Sequence, residues 1–281
     1  MNDGILYIVA TPIGHLGDLS PRAVEVLSAV DVIAAEDTRV TRKLLQHMGT
    51  DTAMLSLHEH NEQQRIQSLL TRLQAGDSVA LVSDAGTPLI SDPGYPLVKA
   101  VRQADIKIVP VPGPCAVITA LSVSGLPTDK FIFEGFLPGK SSGRRAKFEE
   151  LLHEHRTLIF YESPHRILAC LEDLEAVMGD HREVVIAREL TKTFETIRSG
   201  NVAEIREWVE QDQNQQRGEI VLLVAGAPVV EESNPDLGRI LTLLMDELPL
   251  KQAAALTAQI CDAKRNEVYQ QALEIKDRKA K

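Results

Sequence analysis

The chain has 281 residues, of which 44% are hydrophobic and 25% are charged, and it carries a formal net charge of −10. That length lies near the size at which one hydrophobic core stops growing, so we expect more than one domain. The composition is typical of a globular protein and argues against disorder. The negative charge excludes a protein that coats nucleic acid non-specifically, because phosphate binding depends on lysine and arginine, but it leaves room for a local basic face.

Three cysteines stand far apart in the sequence, at Cys115, Cys170 and Cys261. Their spacing predicts neither a disulfide framework nor a thiolate zinc site, which favours a reducing cytoplasm. The first apolar run has no basic segment before it and stops at Thr11-Pro12, so we expect no signal peptide. No apolar stretch reaches the length of a membrane span. We therefore predict a cytoplasmic protein that contacts no membrane and needs no metal.

The first part of the chain alternates apolar, strand-like runs with helix-like segments. The predicted strands are Ile5–Val9, Val32–Glu36, Ala53–Leu57, Ser78–Ser83 and Lys107–Val111. The predicted helices begin at Ser20-Pro21, span Thr38–Met48 and Asn61–Ala75, and follow a cap at Asp92-Pro93. Continuous apolar strands separated by helices predict a largely parallel sheet that is covered on both faces. We assign residues 1–114 to an N-terminal α/β lobe.

The rest of the chain predicts a second α/β lobe, residues 115–228, and a small helical domain, residues 234–281. The predicted strands are Phe131–Phe136, Thr157–Tyr161, Val184–Ala187, Thr193–Arg198 and Ile220–Ala225. The predicted helices are Arg144–Glu154, one beginning at Ser163-Pro164, and one capped by Asn201. After a linker at Glu231–Pro235, helices at Leu250–Ile260 and Arg265–Ile275 fit a helix-turn-helix pair. That pair is equally compatible with nucleic-acid binding and with packing or dimerisation.

Turns of small residues follow three of the predicted parallel strands, at Thr11–Gly14, Ser83–Gly94 and Pro110–Ala116. Little side-chain bulk lets the backbone approach a ligand at the carboxyl ends of parallel strands, so we expect these turns to line one crevice. The chain has neither Gly-x-Gly-x-x-Gly after its first strand nor a P-loop. A ligand held through its phosphates is therefore disfavoured against one held by shape and backbone contacts.

Six motifs, in order along the chain, resemble those of the bacterial ribosomal RNA small subunit methyltransferase I family, which is similar to the tetrapyrrole methylases. They are Thr11–Gly14, Ala35–Arg39, Ser83–Gly94, Val111–Pro114, Phe160–Arg166 and Ala187–Lys192. The resemblance implies two α/β lobes of tetrapyrrole methylase type, S-adenosylmethionine in the cleft between them, and a homodimer. It also implies a substrate: a cytidine ribose in the decoding region of 16S ribosomal RNA, within the small ribosomal subunit, methylated at its 2′-oxygen.

The same resemblance implies which residues touch the cofactor. They are Pro12, Asp84, Ala85, Gly86, Ile90, Ser91, Cys115, Ala116, Tyr161, Leu190 and Glu219. Relatives that methylate tetrapyrroles carry a compact Gly-Asp-Pro turn where this chain has Asp84–Pro88. The individual contacts in that turn are therefore open.

A ribose hydroxyl is a poor nucleophile at neutral pH, so we expect side chains that accept its proton or orient it. The candidates at or just after strand ends are Glu36, Asp37, Glu162, Glu189 and Lys192. Lys192 in particular can stabilise charge or hold a phosphate. For each of them a helix cap or a surface ion pair is the competing explanation.

The candidate RNA contacts are basic residues near the predicted cleft, together with His58 in a loop after a strand: Arg39, Arg42, Lys43, His58, Lys140, Arg144, Arg145 and Lys147. A merely solvated basic face explains them equally well. Aromatic residues make up 4% of the chain, and no stacking platform is evident from their positions. Two other functions stay open: methylation of a tetrapyrrole or another small molecule, and a non-catalytic RNA-binding assembly factor.

Overall fold

The structure, a computed structural model, describes residues 4–58, 60–228 and 235–279. The chain divides into two compact units, one ending at Ala227 and the other beginning at Pro228. Most of the linker predicted at Glu231–Pro235 lies outside the described residues, and Pro235 itself begins a helix.

The first unit contains two five-stranded sheets, and the first sheet is entirely parallel, with the order β3-β2-β4-β1-β5. Its strands are β1 Ile5–Val9, β2 Val32–Ala35, β3 Met54–Ser56, β4 Ser78–Val82 and β5 Lys107–Val111. The parallel arrangement puts all five carboxyl ends at one edge of the sheet, where ligands of open α/β sheets bind.

The helices between these strands are α1 Pro21–Ala29, α2 Thr38–Met48, α3 Glu62–Gln74 and α4 Tyr95–Gln103. As predicted, the hydroxyl of Ser20 caps α1, and α2 ends at Gly49, whose φ of 75° suits glycine. The cap predicted at Asp92 is wrong, because α4 begins only after Gly94 and has no side-chain cap.

The second sheet is mixed and has the order β6-β7-β10-β8-β9. Its strands are β6 Phe131–Phe136, β7 Thr157–Glu162, β8 Glu183–Arg188, β9 Thr196–Asn201 and β10 Ile220–Val224. Only β6 and β7 pair in parallel. Its helices are α5 Ala116–Ser124, α6 Ser141–Glu150, α7 Ile167–Met178 and α8 Val202–Gln211.

The helix predicted from Ser163-Pro164 begins later, at Ile167. The amide of Arg166 donates to the carbonyl of Ser163 over 2.9 Å, which closes a turn before the helix starts. The proline therefore marks this turn and not the first helical residue.

Both sheets bury both faces, because successive side chains of a strand point to opposite sides. In β4, Val79 and Leu81 pack into one apolar cluster, whereas Ala80 and Val82 pack into another. Strands β7, β8 and β10 alternate in the same way between two clusters of the second sheet. One of these clusters also takes in Ile13, from the turn after β1, and so joins the two sheets.

The described part of the second unit contains helices α9 Pro235–Glu247, α10 Leu250–Ile260 and α11 Arg265–Lys279. Small side chains such as Ala253, Ala254 and Ala272 fill its core, next to Leu241 and Val268. Among the described helices of the whole chain, none is long and apolar enough to cross a membrane.

Candidate active site

A cavity of about 350 Å³ lies where the carboxyl edge of the first sheet meets the second sheet. That volume falls within the range of small-molecule sites. The residues that line it are Ile13, Glu36, Asp84, Ala85, Gly86, Thr87, Ile90, Asp92, Cys115, Ala116, Phe136, Tyr161, Glu162, Ser163, Pro164, Ala187, Leu190, Gly218, Glu219, Ile220 and Val221.

The three small-residue turns come together beside this cavity. Thr11 and Gly86 exchange two backbone hydrogen bonds of 2.9 and 3.0 Å, although they follow different strands. The hydroxyl of Thr87 donates to the carbonyl of Pro114 over 2.9 Å, which attaches the third turn. Gly86 has a φ of 85°, a conformation that favours glycine. On this side the cavity wall is therefore formed by turns that hydrogen bonds to their backbone hold together.

Three carboxyl groups give one side of the cavity a negative charge. Glu36 Oε2 accepts the backbone amide of Asp84 over 3.2 Å, and Asp84 Oδ1 accepts the amide of Asp37 over 3.0 Å. Burial raises the pKa of Asp92 to about 6; a hydrogen bond from Ser83 opposes the rise, and the charges of Glu36 and Asp84 add to it. Burial also raises the pKa of Asp84. All three acidic side chains line the same cavity, so the cavity suits a cationic ligand group.

The sequence indicated Asp92 only as a helix cap and not as a residue of the site. An Asp-Pro pair is typical of helix starts, and the pattern carries nothing that separates a capping aspartate from a buried one. The signal appears only in three dimensions, where Asp92 lies close enough to Glu36 and Asp84 to be affected by their charges.

Asp37 lies outside the cavity lining and serves as a helix cap. Its Oδ1 accepts the backbone amide of Arg39 over 2.8 Å, and its Oδ2 accepts Arg39 Nη2 over 2.6 Å. The hydrogen bonds from Arg39 lower the pKa of Asp37 to about 2. The catalytic role predicted for Asp37 therefore does not fit its surroundings, because the carboxylate is already committed to the cap.

Glu162 also serves the local structure. Its side chain is fully buried, and its Oε1 accepts the amide of Ser163 over 2.6 Å and Arg166 Nε over 2.8 Å. The carboxylate thus holds the turn that brings Ser163 and Pro164 to the cavity. The catalytic contact predicted for Glu162 is disfavoured, because no part of its side chain is exposed.

Glu189 and Lys192 belong to a network that reaches the cavity through Glu219. Lys192 Nζ lies 2.9 Å from Glu189 Oε1 and 3.1 Å from Glu219 Oε2. Burial lowers the pKa of Lys192, but the two carboxylates outweigh it and the net shift is upward. The neighbouring Thr191 accepts the amide of His15 over 3.1 Å, so this segment also attaches to the first sheet's side of the cavity.

Nine of the eleven residues predicted to touch the cofactor line the cavity. The two outside its lining, Pro12 and Ser91, are sequence neighbours of lining residues. Among the lining residues that sequence reasoning missed, Phe136 is the largest. It forms an edge-on contact with Tyr161, with ring centroids 5.4 Å apart, and Tyr161 contacts Phe133 over 4.9 Å. The low aromatic content gave no indication of this grouping.

The RNA contact predicted at Arg144 is wrong. Its side chain is only 5% exposed, and its guanidinium lies 2.7 Å from Asp173 Oδ2. Burial raises the pKa of Asp173, but hydrogen bonds from Ser141 and Arg145 and the charge of Arg144 outweigh it. A buried, paired guanidinium cannot reach a phosphate, so Arg144 stabilises the fold where sequence reasoning expected RNA.

The remaining basic candidates differ in their exposure and in whether they form ion pairs. Arg145 pairs with Asp173 yet stays half exposed, and Lys147 pairs with Glu134 and Glu150. Lys140 is exposed, and the described part of the chain offers it no ion-pair partner.

On α2, Arg39 pairs with Asp37 but keeps 88% of its side chain exposed, and Arg42 and Lys43 are also exposed. His58 is half-buried, and its amide donates to Asn61 Oδ1 over 2.9 Å. Within the described ranges, no three histidine, cysteine or acidic side chains are grouped as a metal site would require.

Comparisons with known proteins give a consistent result for both units. A family model described as Tetrapyrrole (Corrin/Porphyrin) Methylases matches residues 5–206, and one described as RsmI C-terminal HTH domain matches residues 231–276. The chain is 58% identical to Ribosomal RNA small subunit methyltransferase I of Escherichia coli O157:H7, over 97% of this chain and 96% of that protein. The protein of the same name from Pseudomonas aeruginosa is 56% identical over 98% of both chains.

Solved structures share the fold at low identity. The methyltransferase CobJ superposes with a TM-score of 0.59 at 18% identity, covering 80% of this chain and 95% of that one. Uroporphyrin-III C-methyl transferase from Thermus thermophilus, complexed with S-adenyl homocysteine, has a TM-score of 0.55 at 16% identity, covering 79% and 97%. The predicted fold class is thereby confirmed. Because its close relatives match along nearly the whole of both chains, this chain belongs to the ribosomal RNA small subunit methyltransferase I family of the tetrapyrrole methylases.

Proposed function

We propose that this chain transfers a methyl group from S-adenosylmethionine to the 2′-hydroxyl of a cytidine ribose in the decoding region of 16S ribosomal RNA. The observation that carries the proposal is the cavity between the two sheets, which combines backbone-lined turns with the carboxyl groups of Glu36, Asp84 and Asp92. The chain belongs to a family of methylases, and this cavity can hold a compact, positively charged methyl donor. Its relatives bear the name of ribosomal RNA methyltransferases.

The cavity fits S-adenosylmethionine in size, charge and hydrogen-bonding capacity. The cofactor supplies a methyl group on a positively charged sulfur, and the Glu36, Asp84 and Asp92 carboxyl groups complement that charge. The turn around Gly86 lets the backbone approach a ligand closely. We propose that the cofactor contacts are those expected from the sequence: Pro12, Asp84, Ala85, Gly86, Ile90, Ser91, Cys115, Ala116, Tyr161, Leu190 and Glu219.

The chain's own residues can assist the acceptor in two ways. Asp92 has a pKa of about 6, so at neutral pH it is mostly ionised and can accept the proton that leaves the ribose hydroxyl. Lys192 is held between Glu189 and the cavity-lining Glu219, which take two of the three N–H donors of its ammonium, so the third can bind an RNA phosphate. Alignment of the two reactants supplies much of the remaining acceleration.

The RNA must approach an acidic protein, so its contacts must be local. We propose that Lys140 and Arg145 on one side, and Arg39, Arg42 and Lys43 on the other, provide them; all five side chains are exposed. The substrate is 16S RNA within the small subunit, and the place of action is the cytoplasm. We also propose a homodimer, since the strongly apolar helix α5 leaves Ile118 and Val123 exposed for a second copy.

The experiment that tests the function offers the purified chain methyl-labelled S-adenosylmethionine with three acceptors: assembled small subunits, naked 16S RNA and a tetrapyrrole. We expect label in RNA, recovered after digestion as 2′-O-methylcytidine. Label in the tetrapyrrole, or on a base, would contradict the proposal. Calorimetry with the cofactor completes the test, because a non-catalytic assembly factor with no cofactor binding would show no heat.

A charge-removing variant tests the role of Lys192. Lys192→Met keeps the length of the side chain but loses the ion pairs to Glu189 and Glu219, so single-turnover methyl transfer should slow while the protein stays folded. The matched control is Lys99→Met, on the exposed surface of α4. Equal rates for the two variants would remove Lys192 from the proposed machinery.

A further inference from the structure

Phe136 ends strand β6 at the mouth of the cavity, and 61% of it is exposed. Its position depends on an irregularity of the strand, since the register with β7 shifts between Phe133 and Phe136. Gly135, with a φ of 67°, supplies the backbone conformation at that point. A bulge of this kind re-aims the side chain that follows it. Most of the Phe136 ring is thereby left uncovered by protein.

The ring is nevertheless supported from within the fold. Tyr161 contacts it edge-on at 5.4 Å with an interplanar angle of 61°, and Phe133 contacts Tyr161 in the same manner at 4.9 Å. Tyr161 also lines the cavity. The three aromatic side chains thus form a continuous wall from the protein interior to the solvent, and only its last member is largely exposed.

A positive charge follows Phe136 closely along the chain. The intervening connector is anchored, because Leu137 is buried and Arg144 Nη1 donates to the carbonyl of Gly139 over 2.9 Å. Arg144 is itself held by its buried ion pair with Asp173. Lys140 then emerges exposed, and four residues of chain span at most about 14 Å. That distance is comparable to the size of one or two nucleotides.

We propose that Phe136 stacks against the base of the acceptor nucleotide, or of its immediate neighbour, while Lys140 contacts the adjoining phosphate. A ribose inside a helical stack cannot bring its hydroxyl into a cavity, so the target nucleotide must be extruded or single-stranded. Proteins recognise such nucleotides by stacking their bases on aromatic rings. The wall formed by Phe133, Phe136 and Tyr161 lies at the entrance where that base would be placed. The inference rests on the proposed function and specifies how its substrate is held.

The test compares Phe136→Ala and Phe136→Trp with the control Phe131→Ala, at the other end of the same strand and outside the cavity lining. KM and kcat for small subunits and the affinity for S-adenosylmethionine are measured for each. Phe136→Ala should raise KM for RNA about tenfold or more, with cofactor affinity within about twofold of wild type. Phe136→Trp should restore KM, and Phe131→Ala should match wild type.

Two results would overturn the inference. If Phe136→Ala leaves KM for RNA unchanged, no base depends on that ring. If it weakens cofactor binding as much as it raises KM, the ring contacts the adenine of the cofactor and not the RNA.

Both results presuppose a wild-type chain that methylates RNA. Failure of the wild type would contradict the proposed function itself, so the two failures are distinct. Lys140→Ala provides an independent reading, since loss of one phosphate contact should reduce the slope of log affinity against log salt by about 0.7–0.9.

Discussion

Replacing Asp92 with asparagine should remove most of the pH dependence of S-adenosylmethionine binding between pH 5 and pH 7. With a pKa of about 6, the Asp92 carboxyl is about one-tenth ionised at pH 5 and about nine-tenths ionised at pH 7. A cationic ligand prefers the ionised form, so affinity should rise up to about tenfold across this interval. S-adenosylhomocysteine has a neutral sulfur and should show a much smaller rise.

Calorimetric titrations of both ligands at pH 5 and pH 7 check this prediction. The ratio of their affinities cancels pH effects on groups that both ligands share. In Asp92→Asn that ratio should stay nearly constant, apart from a residual contribution from Asp84, whose pKa is also raised. A wild-type ratio that does not change with pH, or a variant that keeps the wild-type change, would refute the placement of Asp92 against the sulfonium.

The same substitution has an effect on stability whose sign follows from the direction of the shift. Because the pKa of Asp92 is raised from 3.8, the folded state holds its proton to a higher pH than the unfolded state. Stability is therefore lost as pH rises from about 4 through about 6. The shift corresponds to at most about 3 kcal/mol, and partial exposure reduces it to about 1–2 kcal/mol. Urea unfolding should show Asp92→Asn more stable than wild type at pH 7 but not near pH 4.

Three further substitutions probe the fold around the site. Arg144→Ala breaks a buried ion pair and should lower the free energy of unfolding by about 3–5 kcal/mol in urea, whereas the half-exposed Arg145→Ala should cost less than about 1 kcal/mol; equal losses would contradict the burial of Arg144. Gly14→Ala would place a methyl carbon 2.6 Å from Lys192 Cγ, so methyl transfer should fall, and a wild-type rate would show that the network around Lys192 can shift freely. Gly86→Val forces a β-branched residue into a φ of 85° at the cavity wall and should abolish cofactor binding by calorimetry in a still folded protein; unchanged affinity would remove this turn from the site.

Local sequence patterns were enough to predict most elements of the fold. Strand β1 and helix α2 have the bounds that apolar periodicity and the residues Gly49 and Pro12 indicated. Apolar runs and end signals determine such elements locally, so they can be read without knowing the partners. Three helix starts were wrong. The residues taken as starts at Asp92 and at Ser163-Pro164 line the cavity instead, and the helix predicted from Arg144 begins three residues earlier, at Ser141.

The site was predictable only where the family motifs reach. The family resemblance indicated the cavity's backbone turns and eleven of its lining residues, nine as cofactor contacts and two, Glu36 and Glu162, as catalytic candidates. The family itself is confirmed by the close relatives. Burial and partners depend on residues that are distant in sequence. Arg144 appears as one of several basic residues until Asp173, on α7, is seen to pair with it. The position of Phe136 at the cavity likewise depends on a strand irregularity and on its contact with Tyr161, neither of which the local sequence indicates.

Nucleoside mass spectrometry of small-subunit RNA, purified from cells with and without the protein, shows directly whether the chain methylates a cytidine ribose of that RNA. Loss of a 2′-O-methylcytidine on deletion, and its return when the wild-type chain but not Gly86→Val is supplied, is the expected result. An unchanged content of 2′-O-methylcytidine in cells that lack the protein would contradict it.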